Sequence, residues 1–229
     1  MKEILLLHGA IGSKEQLQPL ADLLAPTFNV HLLNLPGHGG VPFPAGGFSI
    51  DHFAEVVLQY LDNNKIKTIS IFGYSMGGYV AMLLAKQYPN RIAAVITLAT
   101  KFHWDELSAA KEIKMLQPDI LEQKVPAFAA ELARRHAPLD WKEQLLYTQK
   151  MLKTLGDKNV LTLEDYEYID TKCLLMLGDR DKMVPLRETT DVFNQLPKGS
   201  LALLPNTGHP IEQTDPEVLH FFISRFLKT

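Results

Sequence analysis

A chain of 229 residues, 46% of them hydrophobic, can bury one substantial core with an insertion but is short for two independent domains. Its net charge of −3, with no run of five like charges, excludes the basic footprint of a nucleic-acid or membrane-surface binder and leaves a small neutral or weakly charged molecule as the expected partner. A single cysteine forbids an internal disulfide, and no apolar stretch approaches a signal-peptide core or the roughly 20 residues of a membrane helix, so a soluble cytoplasmic protein is expected.

Short apolar runs alternate with segments of helical period, the pattern of a parallel sheet covered by helices on both faces. The strands expected are residues 3–7, 29–33, 67–73, 92–98, 172–177 and 200–204. After the first, Ser13 and Gln16 have capping-box spacing, Leu17, Leu20, Ala21 and Leu24 recur as one helical face, and Pro26 closes it. Residues 36–47, rich in Gly and Pro, read as a single loop. A helix from Ser49 follows, striped by Phe53, Val56, Val57, Tyr60 and Leu61.

The third strand ends in Gly73-Tyr74-Ser75-Met76-Gly77, a Gly-x-Ser-x-Gly sequence between an apolar strand and a helix that Pro89 stops. A turn this sharp forces its central residue into a strained backbone conformation, which explains small residues at Gly73 and Gly77 and pushes the Ser75 hydroxyl outward. The helix starting beside Ser75 directs unpaired N–H groups toward a reacting carbonyl.

Residues 101–170 break the alternation: they are punctuated by Pro118, Pro126, Pro138 and Gly156, show no clear strand, and read as a helical cap inserted between core segments 1–100 and 171–229. Phe102, Trp104, Phe128, Trp141 and Tyr147 are its candidate pocket-lining aromatics. Cys173 lies in the run Cys173-Leu174-Leu175-Met176-Leu177 and is expected as a buried strand residue. The following Gly178-Asp179-Arg180-Asp181 supplies two candidate carboxylates, and Asn206-Thr207-Gly208-His209-Pro210 a histidine before the final helix, which begins after Pro216. No pair of histidines has zinc-motif spacing and no Gly-rich dinucleotide fingerprint follows a strand, so neither a metal nor an organic cofactor is implied.

These motifs, in this order, resemble the α/β-hydrolase family over nearly the whole chain outside the insertion. By that resemblance Ser75 is the nucleophile, His209 its base and Asp181 the orienting acid, with Asp179 a competitor that more naturally braces the loop. Leu6-Leu7-His8-Gly9-Ala10 is similar to the family's strand ending in His-Gly, which implies an oxyanion hole from the backbone N–H groups of Ala10 and Met76, with His8 structural. The turn Asn34-Leu35-Pro36-Gly37-His38-Gly39 is also family-like, and His38 is read as structural; His31, His52, His220, His103 and His136 receive the same reading. The family usually has two strands before the His-Gly strand, which here begins within a few residues of Met1. A sheet of about six parallel strands is therefore expected, with 29–33 at an edge.

The resemblance implies hydrolysis of a small-molecule ester or thioester through an acyl-enzyme. Carbon–carbon hydrolysis by the same triad and a slowly turning ligand receptor are the alternatives. Serine at the elbow disfavours the aspartate-using dehalogenase and epoxide-hydrolase branches. A related synthase of menaquinone biosynthesis typically has arginine where Tyr79 stands, which weakens that assignment. Because residues 101–170 hold no triad candidate, trimming them is expected to alter substrate preference more than reactivity toward a very small ester.

Overall fold

Six apolar runs pair side by side in the computed structural model, which describes residues 1–228. They are β1 (Lys2–Leu7), β2 (Phe28–Leu33), β3 (Ile69–Tyr74), β4 (Ile92–Leu98), β5 (Lys172–Gly178) and β6 (Gly199–Leu204). All neighbours are parallel, in the order β2-β1-β3-β4-β5-β6, so β2 lies at an edge. The expected strand boundaries lie within two residues of those observed.

Strand side chains alternate between faces, and this alternation divides the core. Leu5, Leu7 and Ile71 pack on one face against α2 (Ile50–Asn63) and α3 (Met76–Gln87), whereas Ile4, Leu6 and Phe72 pack on the other against α1 (Gln18–Leu24). Ser49 caps α2, its hydroxyl accepting the His52 N–H at 3.1 Å, and Phe53, Val57 and Leu61 form the helix's buried stripe. The helical face expected from Ser13 splits in two: Lys14–Leu17 is a 3₁₀ turn and α1 begins only at Gln18. Pro19 is the reason, since it has no N–H to donate to the Glu15 carbonyl and an α-helix cannot run through it from Ser13.

Between β4 and β5 the chain forms α4 (Glu106–Met115), α5 (Pro118–Lys124), α6 (Pro126–His136) and α7 (Trp141–Asp157), with no strand among the described residues. α4 and α7 lie close because Gly156 presents no side chain; a Cβ there would stand 2.7 Å from that of Ala109. Beyond β5 come α8 (Leu186–Gln195), whose Val192 joins the α2–α3 face, and α9 (Pro216–Lys228), whose Leu219, Ile223 and Leu227 complete the α1 face. Cys173 is buried in β5, and burial pushes its thiol up to about 12, which leaves it protonated and unreactive. No helix among the described residues is long and apolar enough to cross a membrane.

Candidate active site

Strand β3 delivers Ser75 into a backbone conformation of φ 50°, ψ −115°, in which L-residues are strained. Glycines make the turn possible: a Cβ on Gly73 would lie 2.4 Å from the Gly77 carbonyl, and one on Gly77 2.6 Å from the carbonyl oxygen of Leu7. The Ser75 N–H is tied to the Leu98 carbonyl at 2.8 Å, and its own carbonyl accepts from the Thr100 hydroxyl at 3.0 Å.

His209 reaches this serine from the loop after β6. Its Nε2 lies 3.4 Å from Ser75 Oγ, and its Nδ1 lies 2.8 Å from Asp181 Oδ2. With an anionic acceptor at Nδ1, the proton belongs on that nitrogen and Nε2 is left to accept from serine. The Asp181 side chain is wholly buried, and its other oxygen accepts the N–H groups of Met183 and Val184 at 2.8 and 2.9 Å. Burial pushes that carboxyl up, but His209 and the two N–H donors outweigh it and hold it below its usual value. Asp179 faces elsewhere, accepting from Thr207 N–H at 3.3 Å and so bracing the histidine loop. Tyr74 steadies that loop too, donating its hydroxyl to the His209 carbonyl at 3.1 Å.

Ala10 and Met76 both border the same space. Met76 opens α3, so no preceding helical turn accepts its N–H. The loop holding Ala10 is fixed by His8, whose Nδ1–H donates to the Gly9 carbonyl at 2.8 Å while Nε2 accepts from Leu35 N–H at 3.1 Å. The Gly9 carbonyl and the Ala10 N–H share one planar peptide unit and point in opposite directions, so pinning the first aims the second.

The space is a cavity of about 270 Å³ with walls largely apolar: Ile50, Leu116, Met151, Leu152 and Leu155 line it with Trp104 and Phe128. Of the expected aromatic lining, Phe102, Trp141 and Tyr147 lie elsewhere. Phe102 packs edge-on against Tyr166, Trp141 against the cluster of Leu121, Leu132 and Leu145, and Tyr147 stacks on Phe43. Both cations on the wall are already paired, Lys101 with Glu188 at 2.9 Å and Arg135 with Glu131 and Glu212 at 3.4 Å each. Among the described residues no cluster of His, Cys, Asp and Glu could hold a metal ion.

Comparison with protein families matches residues 3–153 to the alpha/beta hydrolase fold. The chain belongs to the α/β-hydrolase family. It is 27% identical to a pimeloyl-[acyl-carrier protein] methyl ester esterase of Neisseria meningitidis, covering 91% of this chain and 87% of that one. It is 26% identical to a Bacillus subtilis protein named as a candidate 2-succinyl-6-hydroxy-2,4-cyclohexadiene-1-carboxylate synthase, covering 98% and 89%. Among solved structures, a thermophilic esterase from Thermogutta terrifontis superposes with a TM-score of 0.81 at 19% identity over 100% of this chain and 90% of that one, a likeness of fold.

Within this α/β hydrolase, two arrangements behind the site could not be read from sequence, although His8 and His38 each stand in a family-like motif. Three buried histidines, His8, His38 and His136, stand in ring contact, with centroids 4.9 Å apart for the first pair and 5.8 Å for the second. Arg135 and His136 also reach from α6 to the loop that follows Ala10.

Proposed function

We propose that this hydrolase cleaves a small, uncharged ester or thioester through an acyl-enzyme formed on Ser75, beneath a cap made by residues 101–170. The observation that carries the reading is the hydrogen-bonded line Ser75–His209–Asp181 at the floor of an apolar cavity. Esterases among the relatives support the bond type.

Ser75 Oγ attacks the carbonyl carbon as its proton passes to His209 Nε2, and the cation so formed is stabilised by Asp181. The 3.4 Å serine–histidine separation is at the loose end for such a transfer, and contacts of this kind tighten when substrate binds. The N–H groups of Ala10 and Met76 stabilise the oxyanion. His209 then gives its proton to the departing alcohol or thiol, and water, deprotonated by the same histidine, releases the acid.

An uncharged acyl group fits because each cation of the wall is matched by a carboxylate. Tyr79 offers no charge either: its hydroxyl accepts the Leu161 N–H at 3.0 Å in a buried position, and burial pushes its pKa up to about 12.

A fluorophosphonate probe tests the reading. It should label Ser75 alone, and Ser75→Ala should abolish labelling while the circular dichroism spectrum stays parental. An adduct mapped to another serine, or none on a folded chain that also turns over no activated ester, would remove the reading.

A further inference from the structure

Ile11 lies one residue beyond Ala10 and has φ 53°. A β-branched residue disfavours this left-handed region, which Ile11 occupies at the third position of a turn closed by the Gly12 N–H on the Gly9 carbonyl at 3.1 Å. Its carbonyl oxygen accepts two bonds from the C-terminal end of α6, from Arg135 at 3.1 Å and from His136 Nε2 at 3.0 Å, across 124 and 125 residues of sequence. The His136 donor is unambiguous, because Nδ1 already accepts the Gly39 N–H at 3.2 Å and the fully buried ring can spare its one proton only at Nε2. Arg135 is nearly buried, with 8% of its side chain exposed, and Glu131 and Glu212 take its other face.

Ala10 is thereby clamped on both sides. The Gly9 carbonyl before it is held by His8 from the core and by the Gly12 N–H at 3.1 Å from the loop's own turn, while the Ile11 carbonyl after it, in the peptide unit that donates this Gly12 bond, accepts from Arg135 and His136 of the inserted segment. We infer that Arg135 and His136 are positioning residues of the oxyanion hole, holding the Ile11 carbonyl so that the Ala10 N–H stays aimed at the reacting oxygen. This rests on the acyl-enzyme reading above. It gives residues 101–170 a part in the chemistry itself, where sequence reasoning assigned them substrate preference.

The test uses the full chain with p-nitrophenyl acetate, whose acetyl group is too small to need the far wall. Arg135→Met and His136→Phe should lower kcat about tenfold or more with KM changed less than twofold, short of the 10²–10³ typical of deleting an oxyanion donor outright. The affinity of a boronic acid, whose adduct on Ser75 places an oxygen in the hole, should fall in parallel. Arg135→Lys, which keeps one donor, should recover part of both losses. Glu131→Gln, which removes an ion-pair partner of Arg135 but leaves its bond to Ile11, should stay near parental. Should His136→Phe fail to fold by circular dichroism, the arginine pair decides. Folded variants with parental kcat, a loss confined to KM, or a kcat loss without weaker boronate binding would each overturn the inference. If the parent neither hydrolyses activated esters nor takes the fluorophosphonate on Ser75, the acyl-enzyme reading fails first and the inference with it.

Discussion

Asp181→Asn should lower turnover of an activated ester by about 10⁴-fold, the scale of the corresponding change in a serine-protease triad, while Asp179→Asn costs far less. The reason lies in the hydrogen bonds of each carboxylate. Asp181 accepts from His209 Nδ1 and, through its other oxygen, from Met183 and Val184, so the amide replacing it can meet the backbone donors only by turning its NH₂ toward the histidine. That imidazole must then move its proton to Nε2, where it can no longer accept from Ser75. Asp179 binds the Thr207 N–H and pairs loosely with the exposed Arg180 at 3.7 Å, and an asparagine oxygen can keep the first of these. Initial rates of the three proteins at one pH, after circular dichroism has shown equal folding, decide between the carboxylates. A crippled Asp179→Asn beside a near-parental Asp181→Asn would reassign the acid and leave the serine mechanism standing.

Local signals made the sheet and the serine turn legible. A strand buried on both faces is an unbroken apolar run, and a strand–serine–helix turn needs glycines at fixed offsets, so β3 and Ser75 could be read from about a dozen adjacent residues. His209 and the aspartate pair were found by chain order through a family resemblance, and spacing alone left Asp179 and Asp181 unresolved. Geometry separates them, because only Asp181 turns its carboxylate to the imidazole.

What remained hidden depends on which helix face meets the core. Trp141 and Tyr147 have the chemistry of a pocket wall, yet the register of α7 turns Met151, Leu152 and Leu155 toward the cavity instead. Arg135 and His136 sit in an ordinary amphipathic helix, and their partner is a backbone carbonyl, an acceptor present at every residue and so invisible in sequence. His136 read blandly for the same reason. A buried imidazole that donates to one main-chain group and accepts from another leaves no spacing motif.

The three buried histidines should make the protein acid-labile well above the pH at which its carboxylates titrate. Each ring donates to a carbonyl and accepts from an N–H: His8 donates to Gly9 and accepts from Leu35, His38 donates to Pro36 and accepts from the Gln144 side-chain amide, and His136 donates to Ile11 and accepts from Gly39. Protonation would turn every accepting nitrogen into a donor facing a donor within the buried core. Burial accordingly pulls His8 and His136 down to about 4 and His38 well below its usual value, and the Arg135 charge adds to the effect on His8 and His136. In the unfolded chain the same rings titrate near the ordinary 6.5. The folded pKa values are depressed, so between about pH 6.5 and 4 the unfolded chain binds protons that the folded chain refuses, and stability falls as pH is lowered through that window. Each histidine whose folded pKa lies below this window contributes a slope of up to about 1.4 kcal/mol per pH unit. By pH 5 the cumulative loss from His8 and His136 alone is on the order of 4 kcal/mol, close to the lower end of a domain's whole stability at about 5–15 kcal/mol, and His38 adds to it in the same direction. Urea unfolding followed by circular dichroism from pH 8 to 4.5 should show a plateau above pH 7 and a steep decline below 6.5. His136→Gln, folded at pH 8, should lose about one proton's worth of that slope. Stability that stays flat from pH 8 to 5 would mean that the rings take up protons in place, against the hydrogen bonds that hold them neutral.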